Sequence, residues 1–461
     1  MKKIIFILFN FLFISTTIFG QNNFAQINNQ YLHNLGSSQL PSLLGNDIKN
    51  GEVFLFPMYF GFGNNFISAY DLKEFTKQEK FTNEYIDKMV SKIPNQGNVW
   101  VGLDIPVLNI FFNVNKKNKE SFLSFGLGMR ERMDLNFTLN RDLFSLLYKG
   151  NKQFENKTIN LAPSFNFLLY NEYFFAVSGQ FKPFKNDSTN ISKINIKPAL
   201  RLRYLNGIAS AYMPKSNIDM FTATDGRYID IKSDLLLNMS SAVDTPDIEG
   251  IFEDINFQNL KSSGKGIGLD LGLGVEYFKN LQFNIALTDI GSINFKRNAI
   301  NYSSKKTLRY EGIEFDNNGK PLEITSIDSL LQADKTYEGY KQTLPTKFIL
   351  NTMYGIHKKT RKRVDYFEHN LSLTYIQGFK NYLSSSKTPA INLGYAYNLK
   401  NMVNAGVNFT FGGINKFQGG AQLGFRLGAI KLGIASNNLL PLISSKTGRG
   451  TDVLMYLGIF F

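Results

Sequence analysis

Leu123-Ser124-Phe125-Gly126-Leu127-Gly128-Met129-Arg130-Glu131-Arg132-Met133-Asp134-Leu135-Asn136-Phe137-Thr138-Leu139 alternates along its whole length. The odd positions are apolar except Glu131, and the even positions are Ser, Gly, Arg, Asp, Asn and Thr. Successive side chains of a strand point to opposite faces, so one face of this segment is greasy and the other small, polar or charged. A strand buried in a soluble parallel sheet would be apolar on both faces. An apolar face set against a polar one suits a wall with lipid outside and a lumen inside, the pattern of an outer-membrane barrel.

The same pattern recurs at Leu269–Tyr277, Ile391–Leu399, Val403–Phe411 and Ala421–Leu427. Hairpin turns join such runs: Leu399-Lys400-Asn401-Met402 is one, and Asn115–Glu120 links the run Leu108–Val114 to the one beginning near Leu123. Across Gly428-Ala429 the apolar parity switches from odd to even, which predicts a tight turn with a bulge. Further strands are predicted at 52–60, 98–105, 159–170, 173–181, 194–204, 281–288, 346–356 and 366–377. The total is roughly 14 to 16 strands, and closed single-chain barrels take an even number from about 8 upward. A propeller or sandwich would show regular blade or Greek-key spacing, whereas the intervals here are irregular and no internal repeat is evident. The fold class expected is all-β, a transmembrane antiparallel β-barrel with short helices and long outward loops.

The chain ends on Val453-Leu454-Met455-Tyr456-Leu457-Gly458-Ile459-Phe460-Phe461, apolar at every odd position. The terminal Phe461 resembles the signal read by the barrel-assembly machinery, and this last strand should pair with the first, starting near Glu52. At the other end Lys2 and Lys3 precede an apolar stretch from Ile4 to Ile14, then Ser15–Gly20 and Gln21. That order predicts a secretory signal peptide over 1–20, cut between Gly20 and Gln21, and an outer-membrane destination. The apolar centre is too short for a membrane helix, which needs ~20 residues. Cysteine is absent, so there is neither a disulfide framework nor a residue to accept a lipid anchor. Aromatics are 14% of the chain, with 42 Phe and 22 Tyr but one Trp, a bias that favours aromatic girdles at two interfaces.

Residues 21–51 hold no clear strand and are read as an N-terminal leader or partial plug, ahead of a barrel over 52–461. Within the barrel a helical insert is expected near 70–93, capped by Thr82 and carrying Tyr85, Ile86, Met89, Val90 and Ile93 on one face. A short helix is expected near 141–149, ended by Gly150. Two polar stretches near 214–263 and 297–345 read as long loops facing outward.

Gly264-Lys265-Gly266-Ile267-Gly268-Leu269-Asp270-Leu271-Gly272, with Val275-Glu276-Tyr277 and then Leu281-Gln282-Phe283 through Asp289-Ile290-Gly291-Ser292-Ile293, resembles a signature of fatty-acid-transporter-like outer-membrane barrels (FadL-like). More narrowly it is similar to a Bacteroidota family labelled as a domain of unknown function and related to PorV-like proteins. The segment Arg141–Asn151 and Ser436-Asn437-Asn438-Leu439 fit the same resemblance, which spans about residue 40 to the end. Where such families often show an early Asn-Pro-Ala element, this chain has Gln39-Leu40-Pro41-Ser42-Leu43-Leu44-Gly45-Asn46.

Motifs for chemistry are weak. The glycines between 264 and 274 do not make G-x-G-x-x-G, and they read better as small residues on a crowded inner face. The three histidines, His33, His357 and His369, are scattered; His369 and Ser372 are the nearest approach to a nucleophile and base, on opposite faces of one strand. Asp244, Asp247, Glu249, Glu253 and Asp254 lack calcium-loop spacing. No cofactor, metal or enzyme activity is expected. The charge is +14 for the whole chain and, without Lys2 and Lys3, +12. In an exported barrel this balance suits anionic lipid headgroups rather than nucleic acid, and the basic run His357–Arg363 reads as a turn. The expected partners are outer-membrane lipid, the barrel-assembly machinery, and either apolar small molecules or secreted proteins. The first function expected is a channel or uptake barrel for small or apolar molecules; the alternative is a scaffold or shuttle for secreted or surface-displayed proteins.

Overall fold

Glu52 lies opposite Phe460, and Gly51 and Phe461 exchange backbone hydrogen bonds of 3.1 and 3.0 Å, so the first strand closes on the last. The computed structural model describes residues 24–46, 50–77, 82–115, 121–183, 194–242, 262–278, 280–311, 333–358 and 366–461. Among them, 14 antiparallel strands form one closed ring. These are β1 (Gly51–Leu55 continued by Met58–Asn64), β2 (Gln96–Asn115), β3 (Ser121–Asn140), β4 (Ser164–Gly179) and β5 (Ile194–Thr222). They continue as β6 (Gly264–Tyr277), β7 (Leu281–Phe295), β8 (Lys347–Lys358), β9 (Tyr366–Gly378) and β10 (Ala390–Leu399). The ring ends with β11 (Val403–Gly412), β12 (Phe417–Leu427), β13 (Ile430–Ser436) and β14 (Gly450–Phe460).

The alternation decides which side is which. Leu127, Phe175, Leu271, Phe283, Leu371, Phe409, Leu423 and Met455 are exposed on the outer wall, while Ser124, Arg130, Asp134, Asn284, Asn351, Thr374, Asn392 and Asn408 are buried inside. A continuous exposed apolar band of this size is what a lipid-facing surface requires. The turn after β12 is Gly428-Ala429 alone, with Leu427 opposite Ile430 and Gly428 at φ 60°. That two-residue turn switches the apolar parity without the bulge expected from the sequence.

Three sequence-based boundaries change. The segments 98–105 and 108–114 are one strand, β2, whose register slips beside Pro106 because proline has no N–H to give the ladder. Most of 159–170 and 173–181 is also one strand, β4, preceded by a short separate strand Lys157–Asn160. The stretches near 214–263 and 297–345, read as loops, carry strands in their described parts. The far half of β5 pairs with Ile229–Ser241, which pairs with Ala299–Tyr310, so the wall projects beyond the membrane as an extra sheet. A small apolar core of Phe154, Ile159, Leu161 and Met220 steadies it.

The short connections and both barrel termini share one end, and the long excursions share the other, called here the loop end. At the loop end the 70–93 insert is two helices, Ala69–Lys77 and Asn83–Lys92, the second capped by Thr82 accepting from Tyr85 N. Lys149 at the end of helix Arg141–Lys149 pairs with Asp87, which ties that helix to the second of them. Asp71 is tied to Lys92 and Ser68; burial alone would raise its carboxyl, but these hydrogen bonds outweigh it and hold the group below the ordinary carboxylate value.

Candidate functional site

The lumen is occupied by the chain's own N-terminal segment. Residues 24–36 are buried throughout, as helix Phe24–Asn28, a turn at Gln30–Leu32 and helix His33–Gly36; a further turn, Pro41–Leu43, follows. Helices this short are not stable alone, so their conformation is fixed by the wall around them. Phe24, Ile27, Leu40 and Leu43 meet Ala286, Ile349, Met353, Ile376 and Ala390 on one side of the barrel. Ala25, Tyr31, Leu32, Leu35 and Leu44 meet Phe54, Phe111, Phe174 and Leu454 on another. Each fully buried Leu or Phe contributes about 1.5–3 kcal/mol of gross burial energy.

Polar side chains fix the segment's position. Asn28 Nδ2 donates to Asn392 Oδ1 at 3.0 Å and Asn28 Oδ1 accepts from Ser372 Oγ at 2.5 Å. Tyr31 OH donates to Asn398 Oδ1 at 3.2 Å, and Ser42 Oγ to Asn284 Oδ1 at 2.8 Å. Asn34 Nδ2 donates to Glu52 Oε2 at 2.8 Å, and the other Glu52 oxygen holds Lys431 Nζ at 2.6 Å. Inner-face glycines provide the seats. A methyl group at Gly394 would come 2.5 Å from Asn28 Nδ2, and at Gly272 or Gly274 3.0 Å from Pro41 or Ser42. Among the described residues no backbone–backbone hydrogen bond joins residues 24–46 to a barrel strand.

Beside this segment the lumen holds a charged belt centred on Glu172 of β4, which is fully buried. Its carboxylate lies 2.9 Å from Arg201, 3.2 Å from Arg203, 3.6 Å from Arg132 and 3.8 Å from Arg130. Asp270 and Asp289 neutralise Arg203 at 2.9 and 2.7 Å, Asp289 also takes Arg132 at 2.7 Å, and Asp104 holds Arg130. With Asp134 and Lys347 added, the formal charges of the set cancel. Gly268 on β6 leaves room for Arg203, whose Nε would lie 2.9 Å from a methyl group there. Buried charges are tolerated only when paired in this way. Between this belt and the segment lies a cavity of about 80 Å³, lined by Gln26, Gln39, Tyr59, Trp100, Arg132, Asp134, Lys347 and Ser384 among others.

The residues singled out from the sequence fall in different places. Phe461 sits exposed at the closing seam, its ring against Gly51. Gly20, Gln21, the acidic residues from Asp244 to Asp254 and the basic residues Lys359–Arg363 lie outside the described residues. His33 is buried in the lumenal segment and donates to Ile27 O at 3.1 Å. His369 stacks on Tyr395 and hydrogen-bonds its OH at 2.9 Å, with the Tyr397 ring tilted against it at 5.2 Å, while Ser372 points inward to Asn28, so the two do not meet. Arg130, Arg132, Asp134 and Asp270 were visible on inner faces; Glu172, Arg201, Arg203 and Asp289 were missed as their partners. The signal was present in Arg201 and Arg203: residues two apart on a strand share a face, and two arginines together do not face lipid.

The model of a family of unknown function, DUF5723, matches residues 50–437. No curated protein matches the chain. Among solved structures, the toluene transporter TodX of Pseudomonas putida aligns at 9% identity and a TM-score of 0.39, over 96% of this chain and 94% of that one. The toluene transporter TbuX of Ralstonia pickettii aligns at 9% identity and a TM-score of 0.40, over 92% of each chain. The translocator domain of the autotransporter NalP from Neisseria meningitidis aligns at 7% identity and a TM-score of 0.34, over 95% of this chain and 98% of that one. None of these likenesses is strong enough to carry an activity across.

Proposed function

This chain belongs to the family of unknown function DUF5723, and for it we propose an outer-membrane uptake barrel for small and apolar molecules, closed by its own N-terminal segment. In this reading residues 1–20 are a signal peptide cut between Gly20 and Gln21, Phe461 is read during barrel assembly, and the loop end faces outward. Outer-membrane barrels keep their periplasmic turns short and their outward loops long, which supports that orientation.

One observation carries the proposal: residues 24–46 fill the lumen with no backbone–backbone hydrogen bond to a barrel strand among the described residues. Each hydrogen bond that holds them is worth about 0.5–1.5 kcal/mol net, so the segment can leave its seats without breaking a strand ladder. The apolar seam supports the ligand class. A greasy solute entering between Phe24, Ile27, Leu40 or Leu43 and the wall replaces one apolar contact by another, whereas an ion must be desolvated there. Trp100, the chain's one tryptophan, lines the cavity where such a solute would first arrive.

The test compares the full chain with one lacking residues 24–46, each refolded into vesicles and scored by ion conductance and by quenching of Trp100 with a small aromatic probe. The full chain should be closed to ions and show saturable quenching; the shortened chain should conduct. Equal conductance, with no saturable quenching in either, would refute the reading.

A further inference from the structure

We propose that the loop between β13 and β14 is a lipid anchor. Its apolar turn enters the acyl region of the loop-end leaflet, and Lys416 and Arg449 hold the phosphate of an anionic lipid there. The inference is independent of whether the lumen conducts.

Its first support is exposure in a particular place. Leu442 and Ile443, in the single helical turn Leu440–Ile443, are 80% and 78% exposed, more than any other large apolar side chain among the described residues. The turn does not hang free in water above the barrel mouth. Leu439 N donates to Gly419 O at 2.7 Å, and Gly419 occupies an outward-facing position of β12, opposite the outward Phe409 of β11. A methyl group at Gly419 would lie 3.4 Å from Leu440 and 3.5 Å from the Phe409 ring. The turn is therefore laid on the lipid-facing wall, continuous with the exposed belt of Phe409, Phe411 and Phe417.

Depth follows from strand length. β11 has 10 residues, about the number that crosses the hydrocarbon layer when tilted, so Phe409 near its loop end marks the outer edge of that layer. Leu442 and Ile443, seated at this height, complete the apolar surface of the wall. In water the same pair would be an unexplained exposed patch.

The second support is charge at the same rim. Lys416 is exposed and adjoins Phe417 in sequence. Its neighbour Asn415 packs on Gly63 of β1, which lies opposite Gly450 of β14, and the next residue, Asn64, faces Arg449, so both cations stand at one rim; burial and then the Arg449 guanidinium hold the Lys416 ammonium below its ordinary value. Arg449 follows Gly448, which packs on Pro441 of the turn, and the Arg449 carbonyl accepts from Asn64 N at 3.0 Å. The Arg449 Nε is enclosed without a partner, and no ion pair to either cation occurs among the described residues. Two neighbouring cations lacking a counter-ion, immediately above an apolar step, match an anionic headgroup above acyl chains.

Absence of native cysteine makes the test clean. Leu442→Cys and, as a control, Thr447→Cys are labelled with an environment-sensitive dye in vesicles containing phosphatidylglycerol. The label at 442 should be blue-shifted and quenched by lipids brominated on the acyl chain, and that at 447 by aqueous iodide. A label at 442 as open to iodide as that at 447, or disulfide-linked dimers through 442, would overturn the proposal, the latter by showing a second copy on this face. Lipid selectivity is read by native mass spectrometry of the parent and of Lys416→Gln with Arg449→Gln, both checked for heat-modifiable mobility. Retention of phosphatidylglycerol over phosphatidylcholine should fall about five-fold for each charge removed. Unchanged selectivity would overturn the headgroup assignment.

Discussion

Glu52→Gln isolates what holds the lumen shut. Glu52 is wholly buried on β1, bound on one oxygen by Lys431 of β13 at 2.6 Å and on the other by Asn34 of the lumenal segment at 2.8 Å. Lys431 Nζ also lies 5.7 Å from the Tyr31 ring of that segment. Glutamine keeps the volume and the acceptor for Asn34 but leaves the Lys431 ammonium buried without an opposite charge. Breaking a buried pair in this way costs about 3–5 kcal/mol. The cost falls on the docked state in particular, because withdrawal of Asn34 and Tyr31 lets water reach Lys431. A factor of ten per ~1.4 kcal/mol then shifts the docked–undocked balance by roughly two to four orders of magnitude. In planar bilayers the full-length variant should conduct at a level approaching that of the chain without residues 24–46. Adding Lys431→Met should restore closure, since replacing both partners with uncharged groups of similar volume is close to neutral. Conductance of Glu52→Gln equal to the parent, or a double variant as open as the single, would refute the assignment of this pair as the clasp.

Gly394→Val should overpack the seat of Asn28, at a cost of about 1–3 kcal/mol, and speed amide exchange over residues 24–32 while heat-modifiable mobility stays unchanged; equal exchange would count against the seat. Glu172→Gln should lower barrel stability toward urea by about 3–5 kcal/mol and, in the chain lacking 24–46, move the reversal potential toward anion selectivity, because it leaves the charged belt one carboxylate short. At the loop end, burial is outweighed by Lys92 and Ser68, which hold the Asp71 carboxyl below the ordinary carboxylate value, so the stability it contributes is present above the unfolded value and is lost as pH falls through the folded one. Helices Ala69–Lys77 and Asn83–Lys92 should therefore stay protected from exchange down to the lower edge of the carboxylate range, and Lys92→Gln should move their loosening to higher pH.

The wall was legible because one physical rule governs every residue in it. Lipid outside and a wet, crowded lumen inside force alternation of period two, and Leu123–Leu139 or Val403–Phe411 shows it without help from any other part of the chain. Above the membrane both faces of β5 and of Ile229–Ser241 are free of lipid, the rule lapses, and the sequence there resembles loop. Residues 24–46 were legible only as the absence of a strand. Their apolar side chains follow the irregular inner surface of a barrel whose contacts come from strands scattered along the chain, from Glu52 nearby to Asn284 and Asn392 more than 200 positions away, so no local period records them.

The charged belt failed for the opposite reason: its residues imitate punctuation. Asn171-Glu172 between Tyr170 and Tyr173 looks like a turn separating two apolar runs, and Asp104-Ile105-Pro106 looks like another. Both interruptions lie inside continuous strands. Glu172 faces inward and keeps the alternation intact, since Tyr173 and Phe175 remain exposed outside. A charge in mid-strand on the lumenal phase demands a countercharge on the neighbouring strands, whereas one on the apolar phase, such as Glu131 in β3, needs only to reach the polar rim or a polar neighbour such as Asn171 opposite it. Arg130 and Arg132 on β3 and Arg201 and Arg203 on β5 supply that countercharge from the two strands that flank Glu172. Parity therefore converts an apparent break into a prediction of its partners, and applied to Asp104 it points to Arg130, which the register places two residues from the position opposite Asp104 on the adjacent strand.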